Sequence, residues 1–480
     1  MTAIRKNIIL NGINTVSGIV FPIITFPYAA RVLMPDGIGA VNFLNSIISY
    51  IVLLTSLGIP MYAVKEVAKC RDNVALRNRV TVEIIILSSL LCVAGYVAVW
   101  LLAAFVPEIH QQAALFYVLS LSIVFNAIGV NWFYQAVEDF KFITVRAIVV
   151  RALAALSLFL FVHDESDLLI YGFITVGSTV GNNIINFVHL RKHVSLPSID
   201  FKELRIWRHL TPAFQVFILN LIISLYIQLN SVMLGFMSGD EAVGYFTAGT
   251  KISHIGLTMI GSIGTVLLPR CANLLKSGDM EAFTSVIHKS LRLTLGLSLP
   301  LTAGLMLLAA PVTYVFCGDE YTAAIPVLLL NAPVVVFISL TNIMGIQILY
   351  PMDKIRIVIW SVTGGAVANL LFNFALIPLW GATGAAVSTL IAEFAVLVIQ
   401  IVAGRRYYPF GIRDLFQWRY ILSTVIMSAV VFIATLPVDD NWLKLAVGVP
   451  VGIVTYYISL YLMHDSLIVD MLSINKLKKT

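Results

Sequence analysis

Alternate connections between the apolar runs of this sequence contain no lysine or arginine, and that pattern leaves few folds open. Fourteen runs are long enough to cross a bilayer. The first six lie at about 8–33, 40–62, 80–105, 113–135, 145–163 and 168–190. The next six lie at about 210–236, 243–268, 290–316, 323–350, 355–379 and 382–403, and the last two at about 420–436 and 443–463. With both termini cytoplasmic, the cytoplasmic segments hold 27 of the 31 Lys and Arg residues, all but Arg31, Arg151, Lys251 and Lys444. The opposite loops, near 34–39, 106–112, 164–167, 237–242, 317–322, 380–381 and 437–442, carry none, and all but the uncharged 380–381 carry acids, among them Asp36, Glu108, Asp240 and Asp439. A wrong helix count would scramble that order, because cytoplasmic loops retain positive charge.

Composition agrees. Apolar residues make up 59% of the chain and charged residues 12%, which excludes a soluble domain. The net charge of +6 lines one membrane face, so it marks contact with anionic lipid rather than nucleic acid. Arg5 and Lys6 precede a run that passes signal-peptide length, so the first span is read as uncleaved. Cys70, Cys92, Cys271 and Cys317 lack metal or redox spacing. No phosphate-binding loop, zinc motif or serine elbow is present, the outer loops are short, and the chain reads as a non-enzyme that needs no cofactor.

The segments Arg31–Ile47 and Ser231–Ile252 share a span ending, an outer turn with Asp, then Gly and an aromatic residue opening the next span. Six helices separate them, so the halves insert in the same orientation as a parallel repeat. The organisation read from this is an N-terminal lobe over 1–209, a C-terminal lobe over 210–403, and two added helices with a tail over 404–480.

Several polar positions stand out. Lys251 lies about 12 Å into an apolar run at about 1.5 Å per residue, where a charge faces a cavity, a partner or a substrate. His254 follows on the same helical face, either as a hydrogen-bonded packing residue or as a titrating neighbour. Glu393, midway along the twelfth run, either neutralises Lys251 or carries a coupling proton. Asn7, Asn11 and Asn14 share one face of the first run, as cavity groups or as glue between helices. Pro22 and Pro27 predict a bend there with a gating role. Gln215, Asn220, Gln228 and Asn230 make the seventh run too polar for lipid on every side. Arg151 either snorkels to the surface or faces a cavity. Trp132, Phe133 and Tyr134 read as an interfacial belt rather than a sugar-binding platform, and Arg146 as interfacial too.

The stretches KNIILNGINTVSGIVFPIITFPYAARVLMPDGIGAVNF, NWFYQAVEDFKFITVRAIVVRALA, GDEAVGYFTAGTKI and IPLWGATGAAVSTLIAE resemble the polysaccharide transporter family of the multidrug/oligosaccharidyl-lipid/polysaccharide exporter superfamily, and within it bacterial O-antigen or capsule repeat-unit flippases. The resemblance implies an all-α membrane fold with two six-helix lobes. It implies movement of a polyprenyl-diphosphate-linked oligosaccharide from the inner to the outer leaflet of a bacterial cell membrane, by alternating access. Arg31 and Lys251 match positions where family members carry cations. A monomer suffices, and a downstream polymerase is the expected consumer. The competing readings are a small-molecule exporter, which would favour membrane-embedded acids, and a membrane glycosyltransferase or polymerase, which would need a larger outer loop.

Overall fold

The computed structural model describes residues 3–194 and 201–465; the side chains of residues 3–9, 11, 201, 218–220, 222–227, 259, 262–263, 265–266 and 412 are outside that description. The described residues form helices and no strand. In chain order these are α1 (Ala3–Ser56), α2 (Ile59–Lys69), α3 (Val74–Phe105), α4 (Pro107–His110), α5 (Ala113–Ala127), α6 (Asn131–Ala136), α7 (Phe140–Phe161), α8 (Leu168–Leu190) and α9 (Leu210–Ser238). They continue as α10 (Asp240–Ser277), α11 (Met280–Leu307), α12 (Ala309–Cys317), α13 (Ala324–Asn342), α14 (Ile355–Gly404), α15 (Ile412–Leu415), α16 (Trp418–Thr435) and α17 (Asn441–Leu462).

Ten helical stretches among the described residues are long and apolar enough to cross a membrane. Two of them, Gly12–Lys69 with 58 residues and Ile355–Gly404 with 50, are about twice the length that one crossing needs. Each contains a backbone break. In α1 it falls at Met34 (φ 59°, ψ 175°), directly before Pro35. Proline disfavours the helical region for the residue before it and lacks an N–H, so one helix stops and the next starts with proline in its first turn. In α14 it falls at Gly381 (φ 52°, ψ −127°), a conformation open to a residue without Cβ. Both breaks sit in the short acidic or uncharged turns expected at 34–39 and 380–381. No non-helical residue occurs at Pro22 or Pro27, and the break in α1 lies beyond both.

The chain forms two compact units, Met1–Gly244 and Tyr245–Thr480. In the first, α1 packs on α3, α5, α7 and α9, and α8 on α5 and α7. The short helix α2 follows the spacing of its buried residues Ile59, Ala63 and Val67, four apart on one face. Trp132, Phe133 and Tyr134 are only 5%, 0% and 0% exposed. This corrects the interfacial expectation: α6 packs on α2 and carries these rings into a core with Val80, Ile84 and Leu190. The two turn segments paired by the sequence repeat also meet in this unit. A Cβ added to Gly39 would overlap the carbonyl oxygen of Asp240, and one added to Gly244 would overlap that of Pro35. The contact is reciprocal, and it requires the bare backbone of glycine at both positions.

In the second unit α13 packs on α11 and α14, and α16 packs on α17 and α11. Leu291, Leu295, Met344, Met427 and Val431 fill the core between them. Tyr456 of α17 donates to the carbonyl of Gly296 in α11 at 2.8 Å, so the last two helices share this core. A π-helical turn, Ile343–Leu349, extends α13.

Candidate functional site

Polar side chains inside the first unit gather in three places. In the first, Arg151 of α7 lies across α1: its Nη1 donates to the carbonyl of Asn14 at 3.0 Å, to Asn14 Oδ1 at 3.1 Å and to the Ser17 hydroxyl. The arginine is therefore held against the first helix. This joins two residues singled out from the sequence, Arg151 and Asn14. Further along, Ser46 of α1 donates to Gln228 Oε1 of α9 at 3.1 Å. Phe43 and Phe236 stack edge to face beside it at 5.1 Å. Asn230 is buried in α9, and Gln215 is exposed. The side chains of Asn7, Asn11 and Asn220 are outside the described residues.

In the second place Arg146, 8% exposed, is not interfacial. Its Nε donates to Asn182 Oδ1 at 2.9 Å, its Nη2 to Asn131 Oδ1 at 3.2 Å, and its Nη1 to Asn186 Oδ1. The Phe142 ring lies 5.6 Å from the guanidinium carbon. No carboxylate pairs with it among the described residues. Burial of a cation costs several kcal/mol unless dipoles replace water, and three carboxamide oxygens do so here. The charge is solvated but remains uncancelled.

The third place was not anticipated. Glu83 of α3 has a fully buried carboxylate. It accepts from Arg79 Nε at 3.2 Å, the Arg205 N–H at 2.7 Å, Arg208 Nη2 at 2.6 Å and His209 Nε2 at 2.8 Å. The Tyr62 hydroxyl lies 2.7 Å from His209 Nδ1, so a proton on Nε2 satisfies both ring nitrogens. Burial pushes His209 below its ordinary 6.5, against the pull of Glu83. The cluster fastens the segment before α9 to α3 and α2. One signal was available in the sequence: an acid at the start of an apolar run, between two basic loops.

In the second unit, Lys251 lies half-buried in α10 and His254 is exposed three residues on. Glu393 is buried in α14 at 7% exposure. Asn369 and Asn373, both fully buried, pair within α14 at 3.1 Å, and Gln400 donates to Ser361 at 3.0 Å. Arg31, in the first unit, is exposed one turn before the Met34 break.

Among the described residues, ten apolar spans, broken helices at short turns and charged or carboxamide groups inside the apolar units define a multi-pass, helical membrane protein. Solved structures agree on the fold. The lipid II flippase MurJ in an inward closed conformation superposes with a TM-score of 0.72 at 15% identity, over 96% of this chain and 99% of that one. A multidrug resistance MATE family transporter, inward-facing, gives 0.62 at 14% identity over 82% and 94%. The family described as "Polysaccharide biosynthesis protein" matches residues 4–275, more than half of the 480. The chain belongs to that family. Among its relatives is the "Putative O-antigen transporter" of Escherichia coli (strain K12), 26% identical over 72% of this chain and 83% of the relative. A protein of the same name from Shigella dysenteriae is 23% identical over 78% and 93%.

Proposed function

We propose that the protein is a flippase that moves polyprenyl-diphosphate-linked oligosaccharide repeat units from the cytoplasmic to the outer leaflet of a bacterial inner membrane, for O-antigen, capsule or exopolysaccharide synthesis. It is read as a transporter and not an enzyme. Its family, the transporter names of its relatives and a fold shared with a lipid II flippase support the reading. The observation that carries it furthest is Lys251, a cation in the apolar helix α10. A diphosphate entering a membrane interior needs fixed positive charge to replace its hydration.

In this proposal the spans number fourteen: the ten apolar stretches, a second crossing in each of the two broken ones, and α9 and α10. Both termini are cytoplasmic, so the basic loops meet anionic lipid. Residues 1–209 and 210–403 act as the two moving lobes, with 404–480 an addition to the second. Lys251 and Arg31 each meet the diphosphate during alternating access, and the prenyl tail stays in lipid. Arg151, Asn11, Asn14, Gln228 and Asn230 line the polar path, and Pro22 and Pro27 give the first helix its gating bend. A potential negative inside drives an anion outward by about 2.3 kcal/mol per charge per 100 mV, so a negatively charged substrate moves without a coupled ion. Glu393, with His254, is the candidate for proton coupling if one exists. The working unit is a monomer, and a polymerase in the outer leaflet consumes the product.

A second reading is a cation-coupled exporter of drugs or other small molecules, which has the MATE likeness on its side. Substitution separates the two. Lys251→Ala should abolish surface glycan while membrane abundance stays normal, and Lys251→Arg should retain part of it, measured by glycan blotting in a strain lacking the native gene. Normal glycan export by a stably inserted alanine variant removes the lysine from the mechanism.

A further inference from the structure

The amide-rich end of the first unit contains a cavity of about 700 Å³, within the range of about 300–1,000 Å³ that holds small ligands. Its lining is unusual for a membrane protein. Four carboxamides, Asn126, Asn131, Gln135 and Asn183, face it, with Trp132 as an apolar wall and Lys65 at its edge. No Asp or Glu lines it among the described residues.

These groups are not used up by the protein. Asn183 is 8% exposed and faces the cavity, yet its side chain makes no hydrogen bond among the described residues. Its amide therefore remains available to a ligand in the cavity. Gln135 is likewise unbonded, and Lys65 has no ion-pair partner among the described residues. Asn126 spends only its N–H, on the Ser122 carbonyl at 2.8 Å. Asn131 spends only its oxygen, on Arg146. Space has been left for Asn183 as well, since a Cβ on Gly129 would come within 2.6 Å of its Oδ1.

Carboxamides both donate and accept, as sugar hydroxyls do, and the apolar part of the lining, with Met61, Ile59 and Ile123, suits the C–H face of a pyranose. Lys65 at the edge and the uncancelled Arg146 behind Asn131 add positive charge on one side. We propose that this cavity is a carbohydrate subsite that holds one sugar of the transported repeat unit and prefers a sugar bearing an acidic group. The assignment rests on the flippase reading for the source of the sugar. It places glycan recognition on the N-terminal unit alone, apart from the cations proposed to hold the diphosphate.

The test is saturation-transfer NMR on the full-length protein in lipid nanodiscs, with lactose and with the hyaluronan disaccharide of glucuronic acid and N-acetylglucosamine. Both should bind, the acidic one about threefold more tightly, the size of an exposed ion pair. Asn183→Leu should weaken both by about fivefold, the size of a lost hydrogen bond. Gln135→Ala should weaken both in the same direction, and its exposed, unbonded side chain makes it safe for folding. Lys65→Gln should erase the preference for the acid. Failure of either sugar to bind the wild type, or unchanged binding in both amide variants, overturns the subsite even if the same nanodisc preparation moves lipid-linked substrate after transfer to vesicles. Loss of binding in the variants with no such movement by the wild type keeps the subsite and overturns the flippase reading instead.

Discussion

Glu83 and Arg146 are both buried charges at the same end of the first unit, and they are treated in opposite ways. Glu83 is met by three charged or chargeable side chains, Arg79, Arg208 and His209, and by a backbone N–H. Arg146 is met by three neutral carboxamides. A carboxylate neutralised this fully acts as a fastener and projects little field. A guanidinium solvated by dipoles is stable in place but retains its positive field, which an anion nearby can feel. Compensation by charge suits a structural fastener, and compensation by dipole suits the carbohydrate subsite proposed beside Arg146.

The largest expected effect comes from removing the fastener. Glu83→Gln leaves Arg208 and Arg79 facing a neutral amide and should destabilise the protein by about 3–5 kcal/mol, read as thermal unfolding in detergent. An unchanged unfolding temperature would break the contrast. Arg146→Met should have a smaller effect, about 1–3 kcal/mol, because it strands neutral oxygens instead of charges. A loss equal to that of Glu83→Gln would mean that Arg146 is as structural as the glutamate.

Much of the architecture was legible in the sequence. Among the described residues, apolar run length anticipated the ten helical stretches able to cross a membrane, and Pro35 and Gly381 sit in the turns that break α1 and α14 because backbone preference is local. The two turn segments paired from the sequence also meet, Gly39 against Asp240 and Gly244 against Pro35. The polar clusters were not. Glu83 and His209 are 126 residues apart, and Arg146 and Asn186 are 40 apart, so no spacing rule links them. Trp132 and its neighbours were misread because aromatic residues near a span end suit a lipid interface and a buried helix end equally well. Hydrophobicity shows that a residue is out of water, not whether lipid or protein covers it.

The smallest effect concerns pH. Burial depresses His209, so the folded state binds its proton less readily than the unfolded chain, for which the ordinary value is 6.5. The stability it confers is fully present above that value and falls as pH drops through and below it, by at most about 1.4 kcal/mol per unit for one proton. Unfolding curves between pH 7.5 and pH 5, as illustrative settings at about one and two units around that value, should show the slope, and His209→Gln should flatten it. A slope that survives the substitution would place the titrating group outside the Glu83 cluster.

Reconstitution tests the transport reading most directly. The protein in liposomes is given a labelled polyprenyl-diphosphate oligosaccharide, and the fraction reached by an external glycan-cleaving enzyme is followed with and without an imposed potential. The expected result is protein-dependent transfer that quickens when the potential pushes negative charge outward. No transfer across neutral and acidic glycans, with ion gradients supplied, would contradict a lipid-linked oligosaccharide flippase.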